Sequence, residues 1–165
     1  MYRKTFEGMN CSIARALDQV GEWWSLLIVR ECSLGTSRFD DFQRRLGIAR
    51  NVLTVRLNSL VAHGVLEKRP VEGSERLYEY RLTEKGEALY PVLIALMQWG
   101  DQWSGHAAPV QVVEHRSGKP VDPVGLRIGA RVLTRNDVRL EPGPGASRET
   151  IAAVNARNRL VFGEE

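Results

Sequence analysis

Residues 38–64 read RFDDFQRRLGIARNVLTVRLNSLVAHG, and the fold is decided by how this run is divided. Leu53, Leu57 and Leu60 recur at helical spacing and form the buried stripe of a helix over about 49–63. Gly64 stops that helix. Upstream, Asp40 followed by Gln43 has the form of a capping box and predicts a shorter helix from Asp41 to Leu46, with Phe42 and Leu46 facing inward. Gly47 makes the turn between them. Two short helices joined by a tight glycine turn are the sequence form of a helix-turn-helix.

The segments on either side extend this reading. Ser12 is expected to cap a first helix with Ile13, Ala16, Leu17 and Val20 on one face. The run Trp23 to Val29 is apolar nearly all round, which predicts a helix buried in the core. Downstream, Val65 to Thr83 reads as a β-hairpin with a polar turn at Glu72-Gly73-Ser74-Glu75. Tyr78, Tyr80 and Leu82 alternate with Leu77, Glu79 and Arg81 along its return strand. A hairpin directly after the second helix of a helix-turn-helix is a wing. Thr83 then caps a longer helix through about Trp103, with Leu89, Leu93, Leu96, Trp99 and Trp103 as its stripe, and Pro91 predicts a kink or a late start. Trp24, Leu27, Phe42, Leu53, Leu57, Leu60 and Leu82 are the expected core.

After a linker at 104–109 the chain changes character. Val110–Glu114 and Val132–Leu140 suggest short strands, Pro142-Gly143-Pro144-Gly145 a rigid break, and Ser147 the cap of a last helix over about 148–160. The fold class is therefore α+β. A winged helix-turn-helix domain with flanking dimerisation helices fills residues 1–104, and a small C-terminal extension of short strands and one helix fills 105–165.

Charge distribution points to nucleic acid. The 165 residues carry a formal charge of only +3. No acid lies between Asp41 and Glu67, however, whereas Arg44, Arg45, Arg50 and Arg56 do. Phosphate binding favours cations without neighbouring carboxylates. With the leucines inward, Arg50, Asn51, Thr54 and Asn58 face outward, and Arg and Asn can read guanine and adenine edges in the major groove. Arg38, Arg44, Arg45 and Arg56 are candidate phosphate contacts. Lys68-Arg69 with Arg76 forms a second basic point on the wing.

Other classes find little support. No Walker A, GxSxG or HExxH pattern occurs, so no enzymatic activity and no cofactor are expected. Two cysteines, Cys11 and Cys32, are too few for a disulfide framework. No run approaches membrane-span length and residues 1–10 lack a signal-peptide core, which points to the cytoplasm and to no membrane partner.

From Cys11 to about Trp103 the chain resembles the HxlR-type winged-helix regulators, a bacterial group near the MarR regulators. The resemblance is carried by Gly21-Glu22-Trp23-Trp24, Arg38-Phe39-Asp40-Asp41-Phe42, Leu46-Gly47-Ile48, Arg56-Leu57, Gly64-Val65-Leu66, Tyr78-Glu79-Tyr80-Arg81-Leu82-Thr83, Lys85-Gly86 and Trp99-Gly100 in that order. It implies dimeric, sequence-specific binding to double-stranded DNA, one recognition helix per half-site. Ala49 departs from a serine frequent in the family, and the acidic hairpin tip departs from its proline-rich form. The resemblance also makes Cys11 a candidate redox or electrophile sensor, with Arg15 one helical turn away. The tail is similar to a zinc-ribbon-like unit in some relatives, but its ligand cysteines are replaced, so no metal is expected.

Three expectations follow for partners. The surplus apolar stripe (Leu89, Leu93, Leu96, Trp99, Trp103), with Ile13 and Leu17 of the first helix, is the expected homodimer interface. A small-molecule or oxidant effector is not identified by any motif. A protein-interaction module that never touches DNA is the competing reading, and the acid-free arginine window argues against it.

Overall fold

The structure is a computed structural model that describes residues 5–163, apart from the side chains of Glu75 and Arg76. The chain forms two compact units, Ala16–Pro123 and a second that joins Met1–Arg15 to Val124–Glu165. Residues 105–123 thus group with the larger unit. No described helix is long and apolar enough to cross a membrane.

In the larger unit, α2 (Trp23–Ser33), α3 (Phe39–Leu46) and α4 (Arg50–Ala62) enclose the core. Leu53, Leu57 and Leu60 are fully buried with Phe42 and Ile28, as their spacing requires. Ile48, in the turn between α3 and α4, is also buried and pins that turn to the core. Gly47 closes α3 at φ 62°, with its N–H donating to Gln43 O. After α4, the Val65 N–H donates to Leu60 O and the Gly64 N–H to Val61 O, a Schellman closure that places Gly64 at φ 67°.

α3 begins earlier than the capping box predicts. Its N-cap is Arg38, in extended conformation and without a side-chain cap. The cause is tertiary: Arg38 bridges Glu79 of the hairpin, and the Tyr80 N–H donates to Ser37 O, which holds the chain extended up to Arg38. Asp40 and Asp41 fall in the first turn, where carboxylates suit the helix dipole.

The wing is β1 (Leu66–Val71) paired antiparallel with β2 (Ser74–Leu82), from Leu66↔Leu82 to Pro70↔Tyr78, with a bulge next to the tip. The tip is tighter than the sequence suggests, because β2 already starts at Ser74. Thr83 then accepts from the Gly86 N–H and donates to Gly64 O at 2.6 Å. A Cβ on Gly86 would lie 2.3 Å from Val65 O, so only glycine allows this approach. The single helix expected from Thr83 to Trp103 is two: α5 (Glu84–Glu87) and α6 (Tyr90–Trp103). Pro91 lacks an N–H and stands in the first turn of α6, so the helix restarts there.

Three core assignments are corrected. Trp24, Leu27 and Leu82 are half-buried: Trp24 and Leu82 lie against the core instead of within it, and Leu27 lines a pocket beside α6. α2 is not buried all round either, since Trp23 is 78% exposed. It ends at the surface beside Leu34.

In the smaller unit α1 begins at Ser12 and runs across the boundary to Val20. The Arg15 N–H donates to Cys11 O, so Cys11 holds the cap position and Ser12 is already helical. β3 (Leu126–Ile128) and β4 (Arg131–Leu133) form a hairpin. α7 (Arg148–Phe162) is capped by Ser147, which accepts from the Thr150 N–H. Asn158, 6% exposed, accepts from the Leu140 N–H and donates to Leu140 O. The strands expected at Val110–Glu114 and along Val132–Leu140 are therefore mostly absent: only Val113↔Pro120 bridges in the first, and β4 alone survives of the second. Glu114 turns the first segment back on itself by accepting from the Arg116 and Ser117 N–H groups.

Candidate nucleic-acid interface

α4 presents an exposed face made of Arg50, Asn51, Thr54 and Asn58 opposite its three buried leucines. Val55, 57% exposed, shares that side and escapes a sequence reading that looks only for polar groups. Apolar side chains there suit thymine methyls. Thr54 Oγ1 donates to Arg50 O, the usual tether of a threonine inside a helix. Asn51 Oδ1 accepts from the Val52 N–H.

Arg50 is held in place without being covered. Its guanidinium lies 4.7 Å from the Phe39 ring centroid and 3.6 Å from Asp40 Oδ1, with 70% of the side chain exposed. A shallow hollow of about 230 Å³ between α3 and the wing is lined by Arg38, Arg50 and Lys68 with Asp40. Lys68 lies 4.2 Å from the Tyr78 ring centroid. Such cation–π seats fix a charge at modest cost.

The acid-free window looks different in three dimensions. Each of its four arginines meets a carboxylate from outside it. Arg44 pairs with Asp41 one turn back, Arg45 approaches Glu31 at 3.6 Å, Arg50 has Asp40, and Arg56 pairs with Glu22 at 3.0 Å. The environments differ. Arg44 and Arg50 are exposed, as are Asp41 in part and Asp40 almost wholly. Arg56 is only 19% exposed, and its Nε is buried without a hydrogen-bond partner. It faces the start of α2 and not solvent, unlike Arg44 and Arg45, which are exposed. On the wing, Arg69 pairs with Glu67 at 2.6 Å. The side chain of Arg76 lies outside the described residues.

The apolar stripe divides. Leu89 and Leu93 lean on the core, whereas Leu96, Trp99 and Trp103 are 48%, 66% and 67% exposed. α6 contains no buried residue. Ile13 and Leu17 of α1 are 72% and 43% exposed.

Both cysteines are free and half-buried. The Arg15 guanidinium donates to Ser12 Oγ. Burial first, then Glu31 and Glu87, pushes the Cys32 thiol up to about 12. Among the described residues no three His, Cys, Asp or Glu side chains gather as metal ligands would.

Comparison with known proteins adds to this geometry. The family model described as HxlR-like helix-turn-helix matches residues 19–108. An uncharacterized HTH-type transcriptional regulator of Mycobacterium tuberculosis is 41% identical over 144 residues, spanning 85% of this chain and 89% of its own length. The crystal structure of PA1607, a candidate transcription factor, superposes with a TM-score of 0.76 at 42% identity, covering 84% of this chain and 99% of that one. The redox regulator HypR in its reduced form is similar at a TM-score of 0.52 and 28% identity, covering 58% of this chain and 95% of that one.

Proposed function

The chain belongs to the HxlR-like helix-turn-helix family, and from that membership we propose that it is a homodimeric transcriptional regulator that reads double-stranded DNA with α4 in the major groove. The observation that carries the proposal is the two-sided character of α4: Leu53, Leu57 and Leu60 fully buried, Arg50, Asn51, Thr54 and Asn58 exposed. Arg50, Asn51 and Thr54 lie in its first turns, the part of a recognition helix that usually reaches base edges. Arg38, Arg44 and Arg45 supply phosphate contacts, joined by Lys68, Arg69 and Arg76 on the wing. Exposed ion pairs such as Arg44–Asp41 and Arg50–Asp40 are weak, so a DNA phosphate can displace the carboxylate.

Residues 1–104 are proposed as the DNA-binding and dimerising part and 105–165 as an extension, although by compactness 105–123 group with the helix-turn-helix unit and 1–15 with the tail. The dimer is supported by Leu96, Trp99 and Trp103, whose exposure is costly at roughly 25 cal/mol per Å² of apolar surface. Ile13 and Leu17 are the contribution of α1. A two-fold dimer presents its recognition helices about 34 Å apart, matching successive major grooves. The protein acts in the cytoplasm as a regulator and not as an enzyme.

The test is selection of duplexes from a random library followed by fluorescence anisotropy. The expected result is an inverted-repeat site bound by wild type, with Arg50→Ala about 1–3 kcal/mol weaker and relaxed at one base position. Equal, weak binding to every duplex would overturn the proposal.

A second reading makes the regulator redox-sensitive through Cys11. It is supported by the place of Cys11 at the start of α1, half-buried and free, and by the similarity to HypR. Diamide then weakens DNA binding by wild type but not by Cys11→Ser; an equal response of the two removes this reading.

A further inference from the structure

A pocket of about 430 Å³ opens in the larger unit between α2, α6 and the segment that follows α6. Leu26, Leu27, Ile94 and Met97 line it with Val112 of that returning segment, and Leu93 and Leu96 of the proposed dimer stripe share its wall. Small-molecule sites run from roughly 300 to 1,000 Å³ and combine apolar walls with a few polar groups. Arg30 is the single charged residue among the lining residues, and half of its side chain is exposed.

The charge behind Arg30 is unbalanced. Glu31 is 4% exposed. Its Oε1 accepts from Arg30 at 2.6 Å, and its Oε2 accepts from Thr36 Oγ1 and faces Arg45 at 3.6 Å. Two guanidinium groups thus share one buried carboxylate. The cluster carries one surplus positive charge at the edge of an apolar cavity, where an anion is electrostatically favoured.

We propose that this pocket binds a small hydrophobic carboxylic acid, with its aromatic or aliphatic tail among the leucines and its carboxylate on Arg30. Occupancy is coupled to DNA through Glu31, a step that rests on Arg45 being a phosphate contact. An acid that draws Arg30 away leaves Glu31 buried with Thr36 and Arg45. A buried carboxylate that loses one cation holds the remaining one more tightly. Arg45 is then withheld from DNA, so the acid weakens DNA binding. By linkage, DNA weakens binding of the acid by the same factor.

The experiment is calorimetry on the full chain without DNA, using phenylbutyrate and the neutral phenylbutanol as probes. Wild type is expected to prefer the acid by about tenfold, the size of one charge-assisted contact. Arg30→Gln brings the two probes to parity. Val112→Trp, in a segment outside regular secondary structure, weakens both without affecting urea unfolding. Equal affinity for acid and alcohol in wild type, or binding of neither, overturns the proposal. So does binding accompanied by dissociation of a dimer in sedimentation, which would assign the pocket to a second copy of the chain. In the anisotropy assay phenylbutyrate raises the Kd for DNA in wild type but not in Arg45→Ala. An unchanged Kd while calorimetry shows binding refutes the Glu31 coupling. Failure to bind any DNA refutes the regulatory reading and leaves the calorimetric result standing.

Discussion

Arg50 and Arg56 stand on one helix, and alanine at each should produce opposite phenotypes. Arg56 is 19% exposed and its partner Glu22 30%, at 3.0 Å. Breaking a fully buried ion pair from one side costs about 3–5 kcal/mol, whereas an exposed pair contributes about 0.2–1 kcal/mol. This mostly covered pair lies between those limits, so Arg56→Ala should destabilise by about 1–3 kcal/mol. That corresponds to about 2–4 °C of Tm for each kcal/mol in a chain of this length. The unpartnered Nε already carries a desolvation cost. Arg56→Met removes that cost and keeps the stem packing, so it should be milder than Arg56→Ala. Arg50→Ala, whose pair with Asp40 is exposed on both sides at 3.6 Å, should change stability by less than about 0.5 kcal/mol.

DNA affinity should reverse the order. Arg50→Ala loses about 1–3 kcal/mol of binding, while Arg56→Ala binds DNA as wild type does wherever it is folded. Urea unfolding followed by tryptophan fluorescence gives one axis and anisotropy the other. A double-mutant cycle of Arg56→Ala with Glu22→Gln isolates the pair. A stable Arg56→Ala with DNA binding as weak as that of Arg50→Ala would refute the reasoning, because the guanidinium would then be facing DNA and not α2.

Four further outcomes are expected. Leu57→Ala, at a fully buried site, should destabilise by about 2–5 kcal/mol in urea titration. Leu96→Asp together with Trp99→Asp should give a folded monomer in sedimentation at micromolar concentration, and a surviving dimer would exclude α6 as the interface. Because the folded protein holds the Cys32 proton up to about 12 while an ordinary thiol releases it near 9.0, stability should fall as pH rises between those values. Cys32→Ala should flatten that slope in denaturation measured across the range. Asp40→Asn frees Arg50 and should tighten DNA binding by up to about 1 kcal/mol, an effect that shrinks as salt is raised.

The helix-turn-helix is legible in the sequence because its signals are local and agree: leucines at helical spacing, Gly47 and Gly64 at positive φ, and alternation along β2. What escapes is set from a distance. Nothing near Arg38 announces that Glu79 will bridge it, so the capping box at Asp40 is a misleading start signal. Trp23 looks like core because its neighbours are apolar, yet its exposure depends on what packs on α2. Val110–Glu114 looks like a short strand, but one carboxylate engages two following N–H groups and turns the chain. A side chain close in sequence won over a ladder that needed a distant partner.

The reading face was legible in part for the same reason. An acid-free stretch of sequence is not an acid-free surface, since folding brings Glu22 before α2, Glu31 of α2 and Asp40 and Asp41 of α3 to the arginines. What separates these arginines is the cost of releasing each one. Arg44 and Arg50 share water-exposed pairs and can exchange carboxylate for phosphate at little cost. Arg45 faces a carboxylate that is buried but also served by Arg30 and Thr36, so its release depends on those two partners. Arg56 is covered, and withdrawing it would give up a mostly buried ion pair with Glu22. Charge pattern alone ranks the four as equals; burial of their partners orders them, and that order decides which are available to a nucleic acid.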